Sequence, residues 1–298
     1  MREFKEIYKR ILPIVKEILS PLLDSRNNIP RRGPKPLLSD VEIIAISLTS
    51  DVLFFDSENY LFSKLKKYRP IANLINRSSY NRRRRKLLKY IELVQQMLAE
   101  AVVPAEQYHV VDSFPLPICR FVRAKRSKIC KESFETAPDF GYCAAQDNTY
   151  YGYKLHAVCT VQGVFKHFQI SKASVADIKY LQEIKHKFSN CVLLGDKAYL
   201  SNPLQLDLFE RHNLTVFTPK NRNQPDYEKY PGIFRKYRKR IETLFSQLDG
   251  QFIIRRNYAK SFSGFATRVA SKIAALTCAQ YVNKVFNKRN INEIKYAF

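Results

Sequence analysis

Acidic residues are scarce in this chain of 298 residues: 27 Asp and Glu stand against 51 Lys and Arg, leaving a formal net charge of +24. A surplus of that size calls for a densely anionic partner, either nucleic acid or an anionic membrane surface. Long apolar runs are also missing. No stretch approaches the roughly 20 residues that a spanning helix needs, and the opening Met1-Arg-Glu-Phe-Lys-Glu6 has no apolar leader region, so no membrane role is expected. The six cysteines never form a C-x-x-C pair, and no histidine cluster completes a zinc pattern. They read as reduced thiols of a cytosolic protein. Internal repeats and low-complexity tails are absent too. What remains is a basic globular chain of about two domains whose partner is nucleic acid.

Residues 1–105 read as an all-helical region and 106–298 as a second, mixed domain. Phe4, Ile7, Ile11, Ile14, Val15 and Ile18 recur at helical spacing and make one apolar face. Ile29-Pro-Arg-Arg-Gly-Pro-Lys-Pro36 forbids a continuing helix, and its cations suit phosphate contact. Ser39-Asp-Val-Glu42 then has capping-box spacing ahead of an apolar run. A further helix is predicted from Ser78 or Ser79 to Leu88, carrying Arg82, Arg83, Arg84 and Arg85. Four successive arginines cannot all face one core. They read either as a DNA-contacting face in a helix-turn-helix-like region or as a solvated basic face.

From Gln107 the texture changes to strands. Tyr108 to Asp112 is a first short strand, followed by a basic loop, Arg120-Phe-Val-Arg-Ala-Lys-Arg-Ser-Lys128. Tyr153–Val161 and Val164–Ile170 flank Gln162-Gly163 and predict a hairpin. A helix over 175–188, a buried strand at Cys191–Leu194, a helix over 204–211 and a strand at Leu214–Phe217 follow. A polar loop (218–231) leads into a basic helix. The order β–β–β–α–β–α–β–α predicts an α/β fold, a mixed sheet flanked by helices. The C-terminal segment 265–286 reads as an amphipathic helix that covers this sheet or helps a dimer form.

Three acids punctuate that order. Asp112 ends the first strand, Asp196 follows the fourth, and Glu242 sits on the basic helix. Carboxylates converging from separate elements repel: two charges ~4 Å apart cost about 4 kcal/mol at an effective dielectric of 20. They therefore need a cation or raised pKa values, and magnesium prefers oxygen donors with substrate phosphate.

The local sequences point the same way. Val111-Asp-Ser-Phe-Pro115, Tyr151-Gly-Tyr-Lys-Leu-His156, Gly195-Asp-Lys-Ala-Tyr199 and Arg238-Lys-Arg-Ile-Glu242, with Gly264-Phe265 and Lys272-Ile-Ala-Ala275 beyond them, resemble the motif blocks of bacterial insertion-sequence DDE transposases over residues 107–285. The resemblance implies a ribonuclease H-like catalytic domain, with Asp112, Asp196 and Glu242 as catalytic metal ligands. It implies Mg²⁺, with Mn²⁺ as an alternative, as a pair of ions bridged by Asp112 and held singly by Asp196 and Glu242. It implies strand cleavage at element ends and 3′-hydroxyl transfer to target DNA. A homodimer working on double-stranded DNA, in the cytoplasm and at the nucleoid of a bacterium, is the expected setting. The chain departs from the family pattern in two places. Arg235 stands where many relatives have tyrosine, and Asp249 stands where they have lysine. Arg238 matches and joins Lys197 and the arginines 82–85 as expected DNA contacts.

Other readings stay open. Asp112 and Asp196 could simply end a strand or cap a turn, and Glu242 could be an ion-pair partner. His109 and His156 read as packed strand residues, Tyr199 as either a packing ring or a DNA contact, and Asp139 and Asp147 as solvated loop residues. A DNA-binding protein with an unused site, or a nuclease that does not join ends, would share these features.

Overall fold

The computed structural model describes residues 2–66, 71, 74–220, 223, 227 and 229–298. Two compact units form, one from Val103–Gln247 and one from Met1–Val102 with Leu248–Phe298. In chain order the elements are α1 (Arg2–Leu19), α2 (Asp40–Val52), α3 (Glu58–Leu65), α4 (Arg77–Lys86), α5 (Leu88–Val102), β1 (Tyr108–Pro117), β2 (Asp139–Cys143), β3 (Asn148–Thr160), β4 (Phe165–Lys172), α6 (Ile178–Ile184), β5 (Cys191–Leu194), α7 (Asn202–His212), β6 (Leu214–Phe217), α8 (Gly232–Gly250) and α9 (Phe262–Val282). The predicted loop 218–231 lies in part outside the described residues.

The sheet unit is a mixed α/β fold, as the sequence predicts, with six strands where five were expected. β1 and β3 pair antiparallel from His109↔Thr160 to Pro117↔Gly152, and β5 and β6 extend the sheet parallel to β1. The long β3 carries β4 along residues 153–159 of its other edge and β2 along 148–152. Gly163, at φ 94°, supplies the left-handed position that the β3–β4 turn requires. Gly152 is demanded by a close approach. A Cβ there would lie 2.3 Å from the Leu116 carbonyl oxygen of β1.

Side chains alternate across a strand, so each face of this sheet has its own cover. Val111, Val158, Leu193, Leu214 and Val216 pack under α6 and α7 with Tyr180, Leu181, Ile184 and Leu208. Full burial of each such side chain stabilises by about 1.5–3 kcal/mol. The opposite face meets α8 through aromatic contacts. Tyr108 and Phe217 reach Phe234 (centroids 5.7 and 5.2 Å apart), and Phe114 stacks on Phe245 at 5.1 Å.

Three expectations change. β2 is a strand where a loop was expected, and it places Asp139 in the sheet. Its Phe140-Gly141-Tyr142 core has only one residue on the inner side, Gly141, so it lacks the apolar alternation that marks a half-buried strand. The helix expected over 175–188 is confined to Ile178–Ile184. The C-terminal helix α9 belongs to the helical unit, where it packs against α2 and α5. Almost every residue from Phe265 to Gln280 is buried, polar ones included. Its many Ala, Ser and Thr side chains let neighbours approach on all sides, which an apolar stripe does not reveal.

In the helical unit, Ser39 forms the predicted capping box with Glu42. The buried α2 and α9 carry polar groups that satisfy one another. Ser47 and Ser271 share a 2.7 Å hydrogen bond, and the Ser271 hydroxyl donates to Asp51 at 2.5 Å. Lys272 lies 3.3 Å from Asp51, and Glu58 pairs with both Arg84 (3.1 Å) and Arg268 (2.5 Å). Charges removed from water in this way persist only when paired. All six cysteines are free, and among the described residues no helix is long and apolar enough to cross a membrane.

Candidate active site

Strand register decides where the two aspartates fall. Val110 of β1 is the parallel partner of Leu194 of β5. Asp112 and Asp196 each lie two residues further on. Asp112 is inside β1, which runs past the expected end at 112 to Pro117, and Asp196 is just beyond the end of β5. The two therefore sit at the same level and on the same face. Each is fixed by a backbone donor. The Ser113 N–H donates to Asp112 Oδ1 at 2.8 Å, and the Ala198 N–H donates to Asp196 Oδ1 at 2.9 Å. Asp196 thus does cap the short turn Lys197–Tyr199, with its carboxylate still beside Asp112.

Burial pushes the Asp112 carboxyl up to about 7. The hydrogen bond from Ser113 opposes the shift, the negative charge of Asp196 adds to it, Arg238 opposes it and Asp177 adds again. A carboxyl raised to about 7 beside a second acid is not fully offset by Arg238 and favours an added positive charge.

The helix α8 crosses the same face. Phe234, Ile241 and Phe245 point into the sheet, and Arg238 is half-buried where its charge acts on Asp112. Glu242 follows Arg238 by four residues, about one helical turn. It is exposed, where Arg238 is half-buried. The charges of Asp196 and Arg238 both act on Asp112, and Glu242 lies exposed on α8 one turn beyond Arg238. Among the described residues, no group of three or more His, Cys, Asp or Glu is close enough to hold a metal ion.

One acid escaped the sequence reading. Asp177, just before α6, accepts a 3.0 Å ion pair from Lys154 and lies 3.7 Å from His156 Nδ1. Lys154 and His156 alternate onto one face of β3, the face opposite Asp112. That spacing within the block Tyr151–His156 was the available signal for an acid packed over it.

Residues 106–278, more than half of the chain, match the transposase DDE domain family. The chain belongs to that family. Comparison with curated proteins and with solved structures gave no match.

The side chains expected to meet DNA in this DDE transposase divide into two groups. Arg82 and Arg85 are exposed on α4, and Lys197 is exposed beside Asp196. Arg83 is drawn inward, donating to the Leu38 carbonyl and pairing with Asp40 at 2.6 Å. Arg84 is 5% exposed and committed to Glu58. The helix starts at Arg77, with the Asn76 side chain accepting from Ser79 N–H. Tyr199 is a core residue beneath Gly195 and belongs to the cluster under α6 and α7. His109 packs edge-on against Phe188, and His156 stacks on Tyr180 with Nε2 2.7 Å from the Ser171 hydroxyl. Both histidines are packed strand residues, as expected.

Proposed function

We propose that this DDE transposase cuts DNA at the ends of a mobile element and joins the freed 3′-hydroxyl to target DNA, acting as a homodimer with Mg²⁺ or Mn²⁺ as cofactor. The observation that carries the reading is the Asp112–Asp196 pair, presented side by side by two parallel strands with one carboxyl raised to about 7. Two all-oxygen donors in want of positive charge fit a hard divalent cation. Asp112 and Asp196 would hold it, with Glu242 as the third donor. Such a cation supplies activation of the attacking oxygen and relief of charge at the phosphate.

The protein's own groups do the remaining work. Ser113 and Ala198 N–H bonds fix the two carboxylates, so little ordering is left for the moment of reaction. Arg238, half-buried beside Asp112, favours its ionised form. Glu242, exposed one turn beyond Arg238, has the longest reach of the three acids. Arg82, Arg85 and Lys197 offer positive charge to the DNA backbone.

The test is a cleavage and joining assay on DNA that carries the flanking element ends, with and without Mg²⁺, beside Asp112→Asn and Glu242→Gln. Metal-dependent cutting and joining, lost in both variants while DNA binding is kept, is the expected result. Cutting without joining would make the protein a nuclease. Binding without cutting would make it a DNA-binding protein with an unused site. Calorimetric titration with Mn²⁺ gives a readout independent of turnover, and Asp112→Asn should abolish the heat of binding.

A further inference from the structure

We infer that the basic segment between β1 and β2, together with the open face of β2, is a binding surface for unpaired DNA bases next to the site of cutting. This rests on the reading of the chain as a DNA transposase. Between positions 120 and 131 the sequence has six Lys and Arg and no acid, and all six cations are exposed. Apolar side chains that water would not select lie among them (Phe121, Val122) and beyond them, at Phe134 between Glu132 and Glu135 and at Tyr142 on β2. Phe134 is 89% exposed and Val122 84%, while Tyr142 and Phe121 are more than half exposed. An apolar protein partner would have to desolvate the surrounding cations. A nucleic acid matches both features, with phosphates for the cations and base faces for the rings. Paired duplex hides those base faces, so the complementary form is a strand with its bases unpaired.

The strand geometry makes the match more specific. Phe140 and Tyr142 alternate outward on the edge strand β2, with Phe121 edge-on to Phe140 at 5.9 Å. Two residues along a strand place these rings about 7 Å apart, twice the 3.4 Å rise between stacked bases. That spacing suits a strand whose bases have been drawn apart. The surface also faces the right way. Asp112 is the partner of Ala157 on β3, and Tyr151, six residues along β3, is on the same face and is the partner of Phe140. Phe140 therefore shares a sheet face with Asp112, roughly 20 Å away along the strand. A strand cut at Asp112 and Asp196 would run its flank over the rings about three nucleotides from the break at the ring spacing. Phe134 is held in place by Lys172, whose ammonium lies 4.6 Å from the ring centre and donates to the Phe134 carbonyl.

Fluorescence anisotropy with a labelled oligothymidine and a duplex of equal length tests the assignment, using the full chain in EDTA so that no cleavage intervenes. The expected result for Phe140→Ala/Tyr142→Ala is a loss of single-strand affinity of roughly fivefold or more per ring, with duplex affinity unchanged. Tyr142→Phe, which keeps the ring and loses only the hydroxyl bond to Asp147, should bind as the parent does. Circular dichroism confirms that each variant is folded. Equal losses on single strand and duplex, or no loss on either, would overturn the inference and leave the transposase reading standing. A shift from dimer to monomer in the alanine variant, with single-strand binding intact, would make the surface a contact between two copies and overturn it as well. Failure of the parent chain to bind any DNA at low salt would sink both readings together.

Discussion

Replacing Asp112 by Asn should stabilise the metal-free protein, with a gain that grows from about pH 4 and is complete at neutral pH and above. In the folded chain burial holds this carboxyl near 7, against a reference value of 3.8. Between those two values the folded state binds the proton and the unfolded state does not, so stability falls as pH rises through that window. Below 3.8 both states are protonated and the cost vanishes; above 7 it is complete. A shift of about three units converts to roughly 4 kcal/mol. Solvent at the partly exposed edge of the carboxyl screens some of this, leaving on the order of 2–4 kcal/mol. Asn keeps an oxygen to accept the Ser113 N–H and carries no charge to be buried. Urea denaturation in EDTA at a series of pH values, parent beside variant, reads the difference. The buried histidines His156 and His167, both pushed down to about 4, destabilise the fold as pH falls from about 6.5 toward 4, the opposite trend. They are common to both proteins, so the parent–variant difference cancels them. The gap should open between pH 4 and 7 and close again when Mn²⁺ is added. A variant no more stable than the parent at pH 8, or a gap that ignores pH, would refute the burial argument.

Glu58→Gln breaks two buried ion pairs at once and should cost about 3–5 kcal/mol, read by urea unfolding. A loss below 1 kcal/mol would mean that the pairs are solvated. Arg82→Gln and Arg85→Gln should stay within about 0.5 kcal/mol of the parent in stability and lower the slope of log affinity against log salt by about 0.9 for each phosphate contact removed. Arg84→Gln should instead unfold the chain at lower urea. Gly152→Ala drives a methyl group into the Leu116 carbonyl and should destabilise by more than about 2 kcal/mol; a neutral result would show that β1 and β3 can part there without cost.

Much of this molecule could be read from its sequence where local pattern and tertiary role agree. Ser39 and Glu42 cap a helix whatever it packs against, and the Gln162-Gly163 turn closes a hairpin from its own chemistry. Asp112 and Asp196 were legible for a related reason: each ends an apolar run short enough to be only a strand. What stayed hidden depends on partners distant in the chain. Arg83 and Arg84 look like their neighbours in sequence, yet Asp40 and Glu58 turn them inward. α9 reads as one-sided until α2 and α5 are placed around it. Glu242 shows the limit within the site, because its position on a helix edge follows from how Phe234, Ile241 and Phe245 seat α8 on the sheet. No spacing in the sequence reports how far that edge turns toward water.

The helical unit is built from both ends of the chain, with the whole sheet unit between them, and this bears on how the protein is made. A ribosome delivers residues 1–102 first, yet the buried faces of α2 have no α9 to meet until the segment beyond 248 emerges. At 5–20 residues per second the wait is roughly 7–30 s. During that time Ser47 and Asp51 lack the Ser271 and Lys272 that complete them. The sheet unit, continuous in sequence, can fold within the interval. Newborn chains should therefore pass through a stage with a finished sheet and an open helical half. That stage offers exposed Ile43, Ile44 and Ile46 to chaperones, and synonymous codons that slow translation past residue 248 should raise aggregation without altering a single amino acid.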